Sequence, residues 1–205
     1  MPLLACRRVV LRLAAAAAAG LLSPLFAWSA GAADGPAASL IEKTSIQVIE
    51  LIKTTTGAQR EAGIRQVLET SFDLNYMGQQ ALGKYWAGAT PEQQARYLKA
   101  AVGAEAHAYA ERFGQYGGQT LALGKIATRP NGVTVVDSRL NQTTGQPIKI
   151  EWEVRDIGGA PRITDVKIEG ISMVITRRTD FTSYIQNNGG KVEALIQELE
   201  ARAQR

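Results

Sequence analysis

Ile148-Lys149-Ile150-Glu151-Trp152-Glu153-Val154-Arg155 alternates apolar and charged residues without a break. Successive side chains of a strand point to opposite faces, so Ile148, Ile150, Trp152 and Val154 share one side and Lys149, Glu151, Glu153 and Arg155 the other. A strand of this kind belongs to a sheet with one wet face and one buried face. Its four apolar residues meet either packed helices or something the protein carries, and that choice is the functional question.

Working outward, the same period of two runs through about 119–128, 131–140, 146–156 and 161–169. The runs are punctuated by Pro130-Asn131-Gly132, Thr144-Gly145-Gln146-Pro147 and Gly158-Gly159-Ala160-Pro161. Turns this short join neighbouring strands, which predicts an antiparallel meander of about four strands. Upstream the period is helical. Ile41, Val48, Ile49 and Ile52 form one stripe, a second helix is expected over 59–69, and Asp73 is placed to cap a third that continues to Lys84. Thr90-Pro91-Glu92-Gln93 has the order of a capping box with proline at the first helical position, opening a long helix to about Phe113. Downstream of Gly170, helices are expected over 172–187 and 192–203, broken by Gly189-Gly190. Helices, a meander, then helices is an α+β plan: one domain over 34–205, a curved antiparallel sheet with helices on its concave face.

The first 33 residues stand apart. Arg7, Arg8 and Arg12 precede an apolar run from Leu13 to Ala27, and Ala30-Gly31-Ala32-Ala33 follows, the order of a signal peptide cleaved near Ala32 or Ala33. Pro24 interrupts the run, which argues against a membrane anchor. Arg7-Arg8 also fits a twin-arginine signal, so both export routes stay open. Without the leader the chain keeps all 19 acidic residues and 20 of its 23 lysines and arginines, a net charge of +1 in place of +4, which is no footprint for nucleic acid. The only cysteine, Cys6, leaves with the leader, and the expected compartment is the periplasm.

Familiar catalytic arrangements are scarce. With His107 the single histidine and no cysteine after the leader, Cys-His catalysis and Cys/His metal clusters are excluded from the mature chain. Glu151, Glu153, Asp165 and Glu169 fall on the outward parity of their strands, and no phosphate-binding glycine loop is present. No cofactor is expected. What remains is apolar surface. Ile148, Ile150, Trp152, Val154, Val166 and Ile168 form a floor, and Leu74, Met77, Leu82, Trp86, Leu98, Val102, Tyr109, Phe113 and Met173 form a roof. Pattern does not tell a filled interior from a hollow one.

Two stretches bear on that choice. Phe72-Asp-Leu-Asn-Tyr-Met-Gly-Gln-Gln-Ala-Leu-Gly-Lys-Tyr-Trp86 with Ala89-Thr-Pro-Glu-Gln93, and Asp165-Val-Lys-Ile-Glu-Gly-Ile-Ser-Met-Val174 with Phe181, Gly189-Gly190-Lys-Val192 and Leu195-Ile196, resemble the toluene-tolerance or MlaC family of periplasmic phospholipid-binding proteins, auxiliary components of an ABC transporter. The likeness runs from about 39 to 203. It implies a shape like that of the nuclear-transport-factor-like group, with a hollow that takes acyl chains and leaves the head group in water. It also implies a shuttle between an outer-membrane lipoprotein complex and an inner-membrane ABC complex with MCE-domain subunits. Phe72-Asp-Leu with Trp86 is also compatible with a hopanoid-associated branch, the alternative reading of the lipid. Two rivals remain. A dehydratase or isomerase of similar shape would need Asp137 or His107 inside the hollow, and a closed-core adaptor would need no hollow at all.

Overall fold

The structure is a computed structural model that describes residues 35–204. The expected signal peptide and its cleavage site lie outside the described residues.

Four helices come first: α1 (Pro36–Thr54), α2 (Gly57–Ser71), α3 (Leu74–Leu82) and α4 (Pro91–Phe113). Strands β1 (Thr120–Thr128), β2 (Thr134–Asn141), β3 (Ile148–Ile157), β4 (Ala160–Ile168) and the two-residue β5 (Ile171–Ser172) follow, then α5 (Met173–Asn187) and α6 (Val192–Arg202). Helices α3 and α4 start at their expected capping residues. The Tyr76 amide donates to Asp73 Oδ1 at 3.0 Å, and Thr90 and Gln93 exchange two bonds of 3.2 Å each, closing the expected box. The helix expected to reach Lys84 stops at Leu82, because Gly83 takes φ +58 and the chain tightens into a 3-10 turn over Gly83–Tyr85.

The strands pair antiparallel in chain order, β1-β2-β3-β4-β5, so the meander stands with one short strand more than expected. Ser172 ends β5 and also caps α5, accepting from the Ile175 amide at 3.1 Å, which is why so brief a strand leaves no mark on the hydrophobic period. Two positive-φ pairs make the tight turns: Gly158-Gly159 between β3 and β4, and Glu169-Gly170 between β4 and β5.

Register shifts interrupt the ladders at Leu123/Ile126 and at Glu153/Val154. Each bends its strand and resets which residues face inward. Simple alternation from Val166 would turn Ile163 outward with Asp165. The second irregularity instead pairs Ile163 with Val154 and leaves it fully buried.

The apolar interior has three parts. Ala37 and Ile41 of α1 lie on Val136, Val154 and Ile163 of the sheet, with Leu121, Leu123, Ile126, Trp152 and Val166 around them. Ile64, Leu68 and Ala106 join α2 to α4. Leu82, Tyr97, Phe181, Ile185, Leu195, Ile196 and Leu199 join α3, α4, α5 and α6 without the sheet. In this last part Tyr97 stands edge-on to Trp86 at 6.4 Å and to Phe181 at 6.0 Å.

Candidate functional site

The inward face of the sheet is the floor. Cross-strand partners share a face, and Trp152 pairs with Val136 on one side and Val166 on the other, Ile150 with Ser138 and Ile168, and Ile148 with Leu140. Trp152 is held by a short relay: its indole Nε1–H donates to Ser138 Oγ at 2.9 Å, and the Ser138 hydroxyl donates to the Ile150 carbonyl at 3.1 Å. Ser138 is buried, so this relay satisfies its hydroxyl. Neither Ser138 nor Ile163 is among the residues that the sequence pattern singles out. The first needs the β2–β3 register and the second needs the bulge.

The expected floor and roof do not form one set. Trp152, Val154 and Val166 come together under α1. Leu82, Trp86 and Leu98 belong to the all-helical core, and Leu74, Tyr109 and Phe113 to the α2–α4 core. Ile150 is buried, Ile148, Met77, Val102 and Met173 are half-buried, and Ile168 is 38% exposed at the end of β4. The element that lies over the sheet is α1, through Ala37 and the fully buried Ile41. Ile41 sits in the helical stripe read from sequence, but a stripe does not say which element it meets.

The paired charges of the sheet lie on the opposite face. Glu153 Oε1 takes Lys167 Nζ at 2.7 Å and Arg129 Nη1 at 2.8 Å. Burial works to raise the Glu153 carboxyl, but hydrogen bonds from Lys167 and Arg129 outweigh it and hold it below the ordinary glutamate value. Asp137 pairs across the ladder with Glu151 on that outer face. His107 lies between α4 and α2, its Nδ1 3.0 Å from Glu61 Oε2. Neither stands on the floor, where the residues Val136, Ser138, Leu140, Ile148, Ile150, Trp152, Val154, Val166 and Ile168 include no ionisable group. Burial pushes the phenols of Tyr97 and Tyr109 up, with Glu105 adding to both, so they stay neutral. Among the described residues no group of three or more His, Cys, Asp or Glu side chains could hold a metal ion. A face of this kind can dissolve hydrocarbon, and the one carboxylate on its parity, Asp156, is exposed at the β3–β4 turn, where it accepts from the Gly159 amide.

Two open clefts lie among the described residues. The larger, about 580 Å³, lies where the end of α2, the start of α3 and the middle of α4 meet the β3–β4 hairpin, and Leu74, Leu98 and Val102 line it with Phe72 and Ile157. Arg162 and Ile157 alternate with Ile163 and Val154, so the sheet contributes to this cleft from its outer parity. No helix among the described residues is long and apolar enough to cross a membrane.

Comparison with known proteins places these observations. The phospholipid-binding protein from Ralstonia solanacearum, solved in complex with a phospholipid, matches with a TM-score of 0.69 and 22% sequence identity, over 83% of this chain and 98% of that one. At that identity the likeness speaks for the fold. The family model described as MlaC protein matches residues 42–201, from within α1 to the last turn of α6. That match runs along nearly the whole described chain, helices and meander together, and the chain belongs to the MlaC family.

Proposed function

We propose that this protein is a periplasmic carrier that holds the acyl chains of a phospholipid against the inward face of its sheet and passes the lipid between an outer-membrane lipoprotein complex and an inner-membrane ABC complex with MCE-domain subunits. The observation that carries the reading is the floor itself: a row of apolar side chains around a hydrogen-bonded tryptophan, with Glu151, Glu153 and Asp165 on the other face. Membership of the MlaC family and the phospholipid bound by the Ralstonia protein support it.

The energetics suit a shuttle. At about 0.8 kcal/mol per buried methylene, two chains of about 16 carbons cost on the order of 25 kcal/mol to expose to water, so free diffusion is negligible. An apolar pocket returns most of that, which leaves exchange near neutral and the direction to the partners. In this reading α1 is the cover. Ala37 and Ile41 occupy space over the floor, and the helix shifts when tails lie on Trp152 and Val166.

The test uses the purified protein and native mass spectrometry. Co-purifying phospholipid is the expected result. A bare mass under gentle conditions points to a closed adaptor instead, and a bound hopanoid places the chain in the other lipid class. In a Trp86→Phe background, phospholipid with brominated chains quenches Trp152 if the tails lie on the floor. Bound lipid without quenching sinks the location.

A further inference from the structure

We infer that the corner formed by the end of β4, by β5 and by the first turn of α5 is where the protein docks on the surface of a lipid bilayer. One cross-strand row leads to it. Leu123 pairs with Ser138, Ser138 with Ile150, Ile150 with Ile168 and Ile168 with Ile171, so the row crosses all five strands on the inward face. Exposure climbs along it, from 9% at Ile150 to 38% at Ile168 and 62% at Ile171. Ile150, Ile168 and Ile171 lie outside the cluster under α1, and among the described residues no strand pairs beyond β5. The floor therefore runs out past its cover and ends in solvent as bare hydrocarbon. Four residues after Ile171, in the first turn of α5, Ile175 is 59% exposed as well. A lone exposed isoleucine is ordinary; a run of them that continues a buried row marks a contact surface.

The chemistry of the corner selects the occupant. Residues 168–175 contain no aromatic side chain and no arginine, the types that anchor protein interfaces. Strand addition is closed off too, because β5 has only two residues and the second of them, Ser172, caps α5. Between Lys167 and Ile175 the charges are one of each sign, Lys167 and Glu169, so attraction to a charged surface is not what holds the contact. What is left is aliphatic surface, which dissolves in the outer hydrocarbon of a bilayer. The choice of a bilayer rests on the carrier reading. A tail that passes from membrane to floor without crossing water needs apolar surface that touches both, and this row supplies it.

The test follows uptake of lipid by delipidated mature protein from neutral dioleoyl phosphatidylcholine vesicles, as a rate and as a final occupancy read by native mass spectrometry. Ile171→Ser combined with Ile175→Ser is expected to slow uptake about tenfold, since most of two apolar side chains is withdrawn from the contact. Occupancy at equilibrium is expected to stay the same, because a docking surface speeds loading and release alike. Ile46→Ser, which removes a 60% exposed isoleucine from α1, is expected to change neither quantity. The wild-type rate should hold from low to high salt. Equal slowing by Ile46→Ser overturns the inference, as does steep salt dependence, which would give the contact to charge. A fall in occupancy in the double variant also overturns it, by making the corner part of the lipid's resting place. An unchanged rate in the double variant gives the corner to a protein partner and leaves the carrier reading standing. A wild type that takes up no lipid ends both.

Discussion

Trp152 is apolar in bulk and polar at one atom, and the fold serves both parts: Val136 and Val166 flank the ring while Ser138 takes its N–H. A carboxylate in its place would sit among hydrocarbon with no cation on the same face, at a cost of several kcal/mol. Trp152→Asp should therefore abolish lipid retention in native mass spectrometry, and Glu151→Lys, one residue away on the outer face, should leave it intact. Equal loss in both would mean that the faces are assigned wrongly. Glu153 illustrates the other face. Its folded value is depressed by Lys167 and Arg129, so its stabilisation is fully present above the ordinary glutamate value and disappears as the pH falls through the lower folded one. Glu153→Gln is expected to cost about 1 kcal/mol or less at pH 7. Thermal melts of the two proteins should converge on acidification; a gap that persists at pH 3 would assign the loss to packing.

At the scale of elements, the starts of α3 and α4 are the most legible feature, because capping is local chemistry. Thr90 and Gln93 form the box their spacing predicts, and Asp73 caps where it was placed. Thr90→Ala should cost about 1 kcal/mol of stability, read as a lower denaturation midpoint with unchanged m-value. An effect near zero would show that tertiary packing, through Tyr97 and the α6 contacts, holds α4 without its cap. Strand ends and bulges were less legible. The extra residue at Glu153/Val154 has no signature in the alternation, since Ile163-Thr164 reads as an ordinary apolar-polar step. Only pairing with β3 shows both side chains buried.

For the molecule as a whole, the three apolar clusters divide the labour. The all-helical core around Tyr97 is independent of the sheet, whereas the cluster under α1 is the one that a ligand on the floor would disturb. Ile41→Ala is expected to lower the stability of the lipid-free protein by about 2–5 kcal/mol through the cavity it leaves. In the carrier reading the same change raises lipid affinity, because less protein has to be displaced. Lower affinity in the variant would make Ile41 a fixed wall of the site. Lipid should in turn stabilise the folded state by mass action, about 2.7 kcal/mol at a hundredfold excess over Kd. Reloading delipidated protein should then raise Tm by roughly 5–10 °C, at 2–4 °C per kcal/mol for a chain of this size. An unchanged Tm would leave no folded-state site for the lipid.

The sequence by itself determined the order of helices and strands, the two-faced character of 148–155 and the absence of cysteine and histidine chemistry from the sheet. All of these follow from side-chain period, capping and composition, which are properties of neighbours along the chain. Which element covers the floor, how the roof residues separate into different cores, and the meeting of Arg65, Lys99 and Arg162 at one cleft were decided only by the tertiary structure. Those are contacts between residues far apart in sequence, and a periodic stripe is the same whichever partner it buries against.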